Sequence, residues 1–274
     1  MVRTGFAEFW IQQVIVMNPA TLLLWPLGLV ALLRVNGRER VLGVAFLAVA
    51  ALLVASGSSR PNYLAVAYAP LLAAGAVAIE RAARRAAWLR PSAFAVLALA
   101  GLPLVPIGLP LGTVEQHLAY SRALGLRIKP QEHSAESDLP QVFADMFGWE
   151  DLVQRVSAVW HALPPAERAH AAIFASNYGE AGAIDFYGPR YGLPPAISPH
   201  NNYWLWGPRG ATGEVLLIVG GGRDDHHADF ASAVLADTTS CVHCMPFENG
   251  APIWVCRGLN QPLAKRWREI KFYY

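Results

Sequence analysis

Residues 172–208, AIFASNYGEAGAIDFYGPRYGLPPAISPHNNYWLWGP, decide how this chain is organised. They open on a short apolar run, Ala171 to Ala175, which reads as a buried strand, and continue into Gly179 to Tyr187, which reads as a helix. Around these lie Asn177, Tyr178, Glu180, Asp185, Tyr187, His200, Asn201, Tyr203, Trp204 and Trp206, set between Gly and Pro turns. That mixture of amide, carboxylate and aromatic side chains on a turn-rich frame suits a polar or sugar-like ligand.

Upstream the composition is different. The chain is 54% hydrophobic and only 15% charged, an imbalance unlike that of an ordinary soluble protein. The excess sits in four apolar segments, about 18–34, 41–57, 64–80 and 92–111, with charge confined to the links. Each is near the roughly 17 to 25 residues that cross a bilayer, so a four-helix transmembrane region over 18–111 is expected. The first segment has neither a basic leader nor a small-residue cleavage site, which argues against a cleaved signal peptide. Arg34, Arg38 and Arg40 lie in the first link and Arg81, Arg84, Arg85 and Arg90 in the third, against Arg60 alone in the second. The first and third links are therefore expected in the cytoplasm and residues 112–274 outside it. The protein is expected to be a multi-pass component of the cell inner membrane, with its carboxyl-terminal domain in the periplasm or its equivalent. No basic stripe interleaves with aromatics, so nucleic acid is not an expected partner.

Residues 5–17 place Phe6, Phe9, Trp10 and Val14 on one helical face and Glu8, Gln12 and Gln13 near the other. An interfacial amphipathic helix over 1–17 is expected, with Asn18-Pro19 marking the break before the first crossing.

From residue 112 onward the pattern alternates. Helices are expected at Trp149 to Leu163, Gly179 to Tyr187, near Asp229 to Leu235 and near Pro262 to Ile270. Strands are expected at Ala171 to Ala175, Val215 to Val219 and near Ile253 to Cys256. Such alternation predicts a small extracytoplasmic α/β domain with a largely parallel sheet, its ligand crevice at the strand ends. The candidate ligand-binding residues are Asn177, Tyr178, Glu180, His200, Asn201, Tyr203 and Trp206. For Asn177 two readings stand, helix cap or ligand contact, and Glu180 and Asp185 equally serve capping and packing. The aromatic run from His200 to Trp206 is open between ligand or membrane contact and plain packing.

Other motifs carry less. Gly220-Gly221-Gly222 lacks the remaining residues of a dinucleotide or phosphate loop and reads as a turn. Asp224, Asp225, His226, His227 and Asp229 are too closely spaced to converge on a metal, and no metal site is expected. Cys241, Cys244 and Cys256 are disulfide candidates in an oxidising compartment. One bridge is expected, using Cys256 with either Cys241 or Cys244 across a hairpin; which pair forms is not readable from spacing.

Five blocks taken in order resemble the carboxyl-terminal part of bacterial glycosyltransferase family 39 proteins, membrane relatives of protein O-mannosyltransferases and lipid A aminoarabinose transferases. They are NPATLLLWPLGL (18–29), SSRPNYLAVAYAPLLAAGA (58–76), LPQVFADMFGWEDLV (139–153), the block from Ser176 to Pro208, and MPFENGAPIWVCRGL (245–259). The resemblance implies transfer of a sugar from a polyprenyl-phosphate donor to an extracytoplasmic acceptor, with membrane lipids and that donor as partners. Arg60 and Tyr63 match the segment that approaches the lipid phosphate, and the alternative for both is simple interfacial anchoring. Members of the family carry their catalytic carboxylates in an early extracytoplasmic loop that no residue here matches, so the catalytic residues are unknown. An amino-terminal membrane part would then be a partner, and the chain alone is expected to be inactive. No cofactor is implied within this chain, with a divalent cation left open for the complete enzyme. The alternative is a noncatalytic membrane-tethered module that binds glycan or protein.

Overall fold

The computed structural model describes residues 5–57, 61–125 and 137–273, and the chain divides into two compact units, Met1–Arg127 and Ile128–Tyr274. The first is helical. Its longer helices are Phe6–Val16, Trp25–Arg34, Arg40–Ser56, Ala65–Ala83 and Leu89–Gly101. Two apolar stretches, Asn62–Ala83 and Leu89–Gly108, are long enough to cross a membrane. A third qualifies if Phe6–Val16 and Pro19–Arg34 count together, although they meet at a 105° bend, while Arg40–Ser56 is apolar but shorter.

The bend has a local cause at the expected break. Pro19 carries no N–H to continue the first helix, and Asn18 takes a left-handed φ of 68°. The Asn18 carboxamide then accepts from the Ala20 N–H at 3.0 Å and donates to the Leu97 carbonyl at 3.1 Å. One side chain thus fixes both the turn and the distant Leu89–Gly101 helix.

Within the unit, Phe6–Val16 turns Phe9 and Gln13 inward and leaves Phe6 exposed. Gln13 is only 2% exposed, whereas Phe6 is 69% exposed. Trp10 stacks on Trp25 at 6.2 Å and Phe9 enters a core with Phe46, Tyr68 and Leu71. The helix is therefore rotated so that positions 9 and 13, one turn apart, face inward together.

The closest approach in this unit is between Trp25–Arg34 and Ala65–Ala83. A Cβ on Gly28 would overlap the Leu71 carbonyl and stand 2.8 Å from the Gly75 nitrogen, and one on Gly75 would overlap the Leu24 carbonyl. Small residues let two backbones touch, which suits packing in an apolar solvent.

Helix Val114–Ala123 also belongs to the first unit, so the division falls after the boundary expected at 112. Tyr120 donates to the Pro103 carbonyl at 2.8 Å, and His117 Nδ1 lies 3.0 Å from that of Pro106.

The second unit mixes helices with one four-stranded sheet. Its strands are β1 (Ala171–Ala175), β2 (Val215–Val219), β3 (Phe230–Thr238) and β4 (Pro252–Leu259), in the order β1-β2-β4-β3. Only β1 with β2 is parallel, and β2–β4 and β3–β4 are antiparallel. The expected largely parallel sheet is corrected accordingly. The cause lies in residues 230–238, where the expected helix near Asp229 to Leu235 is replaced by a strand after the short helix Arg223–Asp229. Pairing along β4 overrides the helix preference of its Ala and Leu residues.

All five residues of β2 are buried, as a central strand covered on both faces requires. On one face Ile173, Leu217 and Val255 meet the helices Trp149–Ala162 and Tyr178–Tyr187. On the other, Leu216, Ile218, Trp254 and Cys256 form a second cluster.

The close contact at Gly28 makes a prediction. Gly28→Ala should destabilise the detergent-solubilised protein by roughly 1–3 kcal/mol through overpacking, seen as a lower thermal midpoint. Gly108→Ala, whose Cβ meets nothing within 4 Å, should leave the midpoint unchanged or raise it. Equal effects at the two positions would contradict the packing.

Candidate functional site

The parallel strands end side by side at Ala175 and Val219. Ser176 donates through its hydroxyl to the Val219 carbonyl at 2.6 Å, which holds the two strand ends together. Asn177 then starts the Tyr178–Tyr187 helix with a reciprocal cap. Its carboxamide oxygen accepts from the Glu180 N–H at 2.9 Å, and the Glu180 carboxylate accepts from the Asn177 N–H at 3.2 Å. Of the two readings for Asn177, capping is the one the geometry displays.

Glu180 is 6% exposed. Burial pushes its carboxyl up to about 7, against the pull of backbone donors at Asn177 and Ser176 and with a further push from Glu248. Glu248, in the loop between β3 and β4, is likewise pushed up to about 7, first by burial and then by Asp145. Two titratable carboxyls thus lie buried in this unit.

The glycine run is a turn, as read. Gly220 has φ 85°, and a Cβ there would meet the Ser176 hydroxyl at 2.7 Å. His226 Nε2 lies 3.1 Å from the Gly220 carbonyl, while Asp229 pairs with Arg266 at 2.7 Å. His226 and Asp229 therefore have separate partners. Among the described residues no three His, Cys, Asp or Glu side chains gather as metal ligands.

The helical period sorts the remaining candidates. Glu180 points into the unit, whereas Tyr178, Gly182 and Asp185, four and three residues apart, share the other side of the helix. Asp185 is the centre of a polar cluster that the sequence did not disclose. It accepts from the Ala196 N–H at 2.7 Å, the Tyr203 hydroxyl at 3.1 Å and Arg209 at 3.2 Å. Tyr203 lies against Trp206 with centroids 4.6 Å apart, and the Arg209 guanidinium sits 5.9 and 5.8 Å from those two rings. Burial, then the Asp185 charge, push the Tyr203 phenol up to about 12, so it donates rather than ionises. Trp206 is 57% exposed. The outcome is an aromatic platform of two rings inclined at 62°, with one cation over them and one carboxylate that receives both Tyr203 and Arg209.

The rest of the aromatic run packs. Trp204 and Trp267 donate to each other's carbonyls at 2.7 and 3.0 Å. His200 is buried with Tyr178 at 4.9 Å and Phe272 at 4.8 Å, and the Asn201 N–H donates to the Phe272 carbonyl at 2.8 Å. Asn201 takes φ 51° to start the short helix Asn202–Trp206. The structure therefore does not gather Asn177, Tyr178, Glu180, His200, Asn201, Tyr203 and Trp206 into one pocket. Tyr203 and Trp206 form the platform, joined by Asp185 and by Arg209, which the sequence reading left out.

Arg60 lies outside the described residues. Tyr63 is exposed in the turn Pro61–Leu64. The helical unit also holds an apolar cleft lined by Leu24, Val77, Phe94 and Leu97, at which Arg90 and Glu80 pair, Nε to carboxylate at 2.8 Å.

The expected bridge to Cys256 is corrected. Cys241 and Cys244 are joined, and Cys256 is a buried free thiol within β4. Cys256 is directed into the cluster with Leu216 and Trp254, and burial pushes its thiol up to about 12.

Comparison with family models, with curated proteins and with solved structures finds no match for this chain.

The buried carboxyls set a pH dependence. Glu180 and Glu248 hold their protons more tightly when folded than at the ordinary value of 4.5. Their contribution to stability is fullest below about 4.5 and is lost as pH rises through about 7. Glu180→Gln keeps an acceptor for the Asn177 N–H and removes the charge. Its thermal midpoint should fall less than that of the unmodified protein between pH 5 and pH 8, by about 5 °C or more. Identical pH profiles would contradict a buried titrating Glu180.

Proposed function

We propose that this chain is the carboxyl-terminal part of a membrane glycosyltransferase that uses a polyprenyl-phosphate sugar. In this reading its helices lie in the cell inner membrane and its sheet-containing unit on the extracytoplasmic side. The Tyr203–Trp206–Arg209 platform contacts the saccharide. The observation that carries the proposal is the platform itself, because its two rings and the Asp185 beneath them fall in the block with the longest family resemblance. Two long apolar helices and the arginine asymmetry between links support the membrane placement.

The chemistry of the platform fits a sugar. The C–H face of a pyranose covers an exposed indole, while a neighbouring guanidinium donates to its hydroxyls. One Arg209 nitrogen donates to Asp185, and the partly exposed guanidinium, which lies over both rings, keeps further N–H groups for a sugar hydroxyl. Tyr203, held as a neutral donor by Asp185, packs edge to face against Trp206 and supports its ring. In this reading Tyr63 meets the lipid phosphate. Its hydroxyl donates, and its exposure suits an interfacial position.

A second reading, a noncatalytic membrane-tethered glycan- or protein-binding module, is favoured by the state of the carboxylates. Glu180 is closed into its cap and Asp185 is engaged by three donors, so neither is offered as a base in the second unit.

The transferase reading and the glycan-binding form of the second both put saccharide on Trp206. Titrating the detergent-purified chain with mannose oligosaccharides should change tryptophan emission with millimolar affinity, and Trp206→Ala should weaken binding about tenfold. Trp88→Ala, an exposed ring in the other unit, should not. Sugar transfer from a polyprenyl-phosphate donor, assayed beside it, separates enzyme from binding module. Absence of any sugar-dependent change attributable to Trp206 would overturn the transferase reading and leave only the protein-binding form of the second.

A further inference from the structure

The loop between β3 and β4 holds Cys241-Val242-His243-Cys244, with the two thiols joined and their Cα atoms 6.0 Å apart. Stabilisation by a cross-link grows with the length of chain it closes, so a ring this short is at the weak end of what a bridge contributes to a fold. The loop is also organised without it. Thr239 donates its hydroxyl to the Glu248 carbonyl and accepts from the Ala251 N–H at 2.8 Å. The Gly250 N–H donates to the Thr239 carbonyl at 3.0 Å, and the Cys241 N–H to the Asn249 side chain at 3.2 Å.

The bridge's surroundings suit exchange. Cys241 is partly exposed, whereas Cys244 is buried, so an attacking thiolate reaches one sulfur and the other is the leaving group. Gly148, at φ 88°, lets the bridge lie flush against backbone, for a Cβ there would stand 3.1 Å from the Cys241 sulfur. Glu248 and Cys241 line one small cavity beside Phe147 and Trp149. The Glu248 carboxylate accepts from the N–H of Met245, the residue directly after Cys244, at 3.3 Å. Burial and then the Asp145 charge favour the protonated form of Glu248, against the Met245 N–H, and Glu248 in turn raises the acidic Glu180. His243 sits between the thiols with its ring 6.0 Å from Phe147.

We infer that Cys241–Cys244 is a redox-active disulfide that exchanges with a dithiol protein, and that Glu248 supplies the proton to the buried Cys244 sulfur. A thiolate of the partner attacks the Cys241 sulfur, the S–S bond breaks, and Cys244 leaves as a thiolate that takes the proton of Glu248. The partner's second thiolate then attacks its own sulfur in the mixed disulfide and releases Cys241 as a thiolate, protonated from water. Two electrons pass to this chain, the partner becomes a disulfide, and Glu248 regains its proton from solvent. Nothing in this step rests on the glycosyltransferase reading.

The test uses the purified full chain, folded in detergent. Dithiothreitol, or a thioredoxin-type dithiol protein, is added and new thiols are counted by maleimide mass labelling, with tryptophan emission reporting unfolding. Two thiols should appear at least about a hundredfold faster than unfolding while Cys256 stays unlabelled. A partner lacking its second cysteine should be trapped on Cys241. Glu248→Gln should slow the exchange about tenfold near neutral pH and flatten its pH profile, with unchanged circular dichroism. Reduction only in denaturant, or together with labelling of Cys256, would make the bridge a structural staple and overturn the inference. Unaltered kinetics and pH profile in a folded Glu248→Gln would remove Glu248 from the step. If that variant does not fold, the unmodified chain's reduction rate against its unfolding rate still decides the exchange.

Discussion

The Glu180 carboxyl, shut away from water beneath the first turn of the Tyr178–Tyr187 helix, is the constraint on which the second unit depends. A carboxylate is expensive to bury unless it is hydrogen-bonded, and here the Asn177 N–H supplies that bond while Asn177 caps the helix in return. The cap sets the direction in which the helix leaves β1. That direction puts Glu180 on the inner side and Tyr178, Gly182 and Asp185 on the outer one. Asp185 can then receive Tyr203 and Arg209, and the platform exists because the cap does. Since both buried carboxyls hold their protons up to about 7, the arrangement is least strained electrostatically in mild acid.

Much of this was legible locally. Asn-x-x-Glu between an apolar run and a helical period is a capping signature, and β1 and β2 fall where their apolar runs predict. Asn18-Pro19 likewise announces its break, because proline acts within its own turn. What could not be read depends on partners far along the chain. Residues 230–238 look helical by composition and become a strand only because β4 pairs with them, which in turn makes the sheet mostly antiparallel. Asp185 meets groups 11, 18 and 24 residues away, so no spacing rule reveals it. The burial of Gln13 in Phe6–Val16 is not legible for the same reason: it depends on packing against residues outside that helix, as Trp10 stacks on Trp25.

The cysteines show how an argument from chain geometry can pick the wrong pair. A hairpin does bring the β3–β4 loop close to β4, yet Cys256 is turned into the sheet's other face, against Leu216 and Trp254, and is out of reach. The short bridge left behind is tied to Gly148 and neighboured by Glu248. In the helical unit a comparable role falls to Gly28 and Gly75, where the absence of a side chain is what allows contact.

The central claim is that saccharide carried on a polyprenyl phosphate meets the Tyr203–Trp206–Arg209 platform. Photo-crosslinking tests it most directly, using a polyprenyl-phosphate sugar with a diazirine on the sugar, membranes containing the full chain, and mass spectrometry of the labelled peptides. The account predicts label within residues 203–209, reduced by excess unlabelled donor and by Trp206→Ala. Labelling that avoids this segment while remaining competed by unlabelled donor would contradict it.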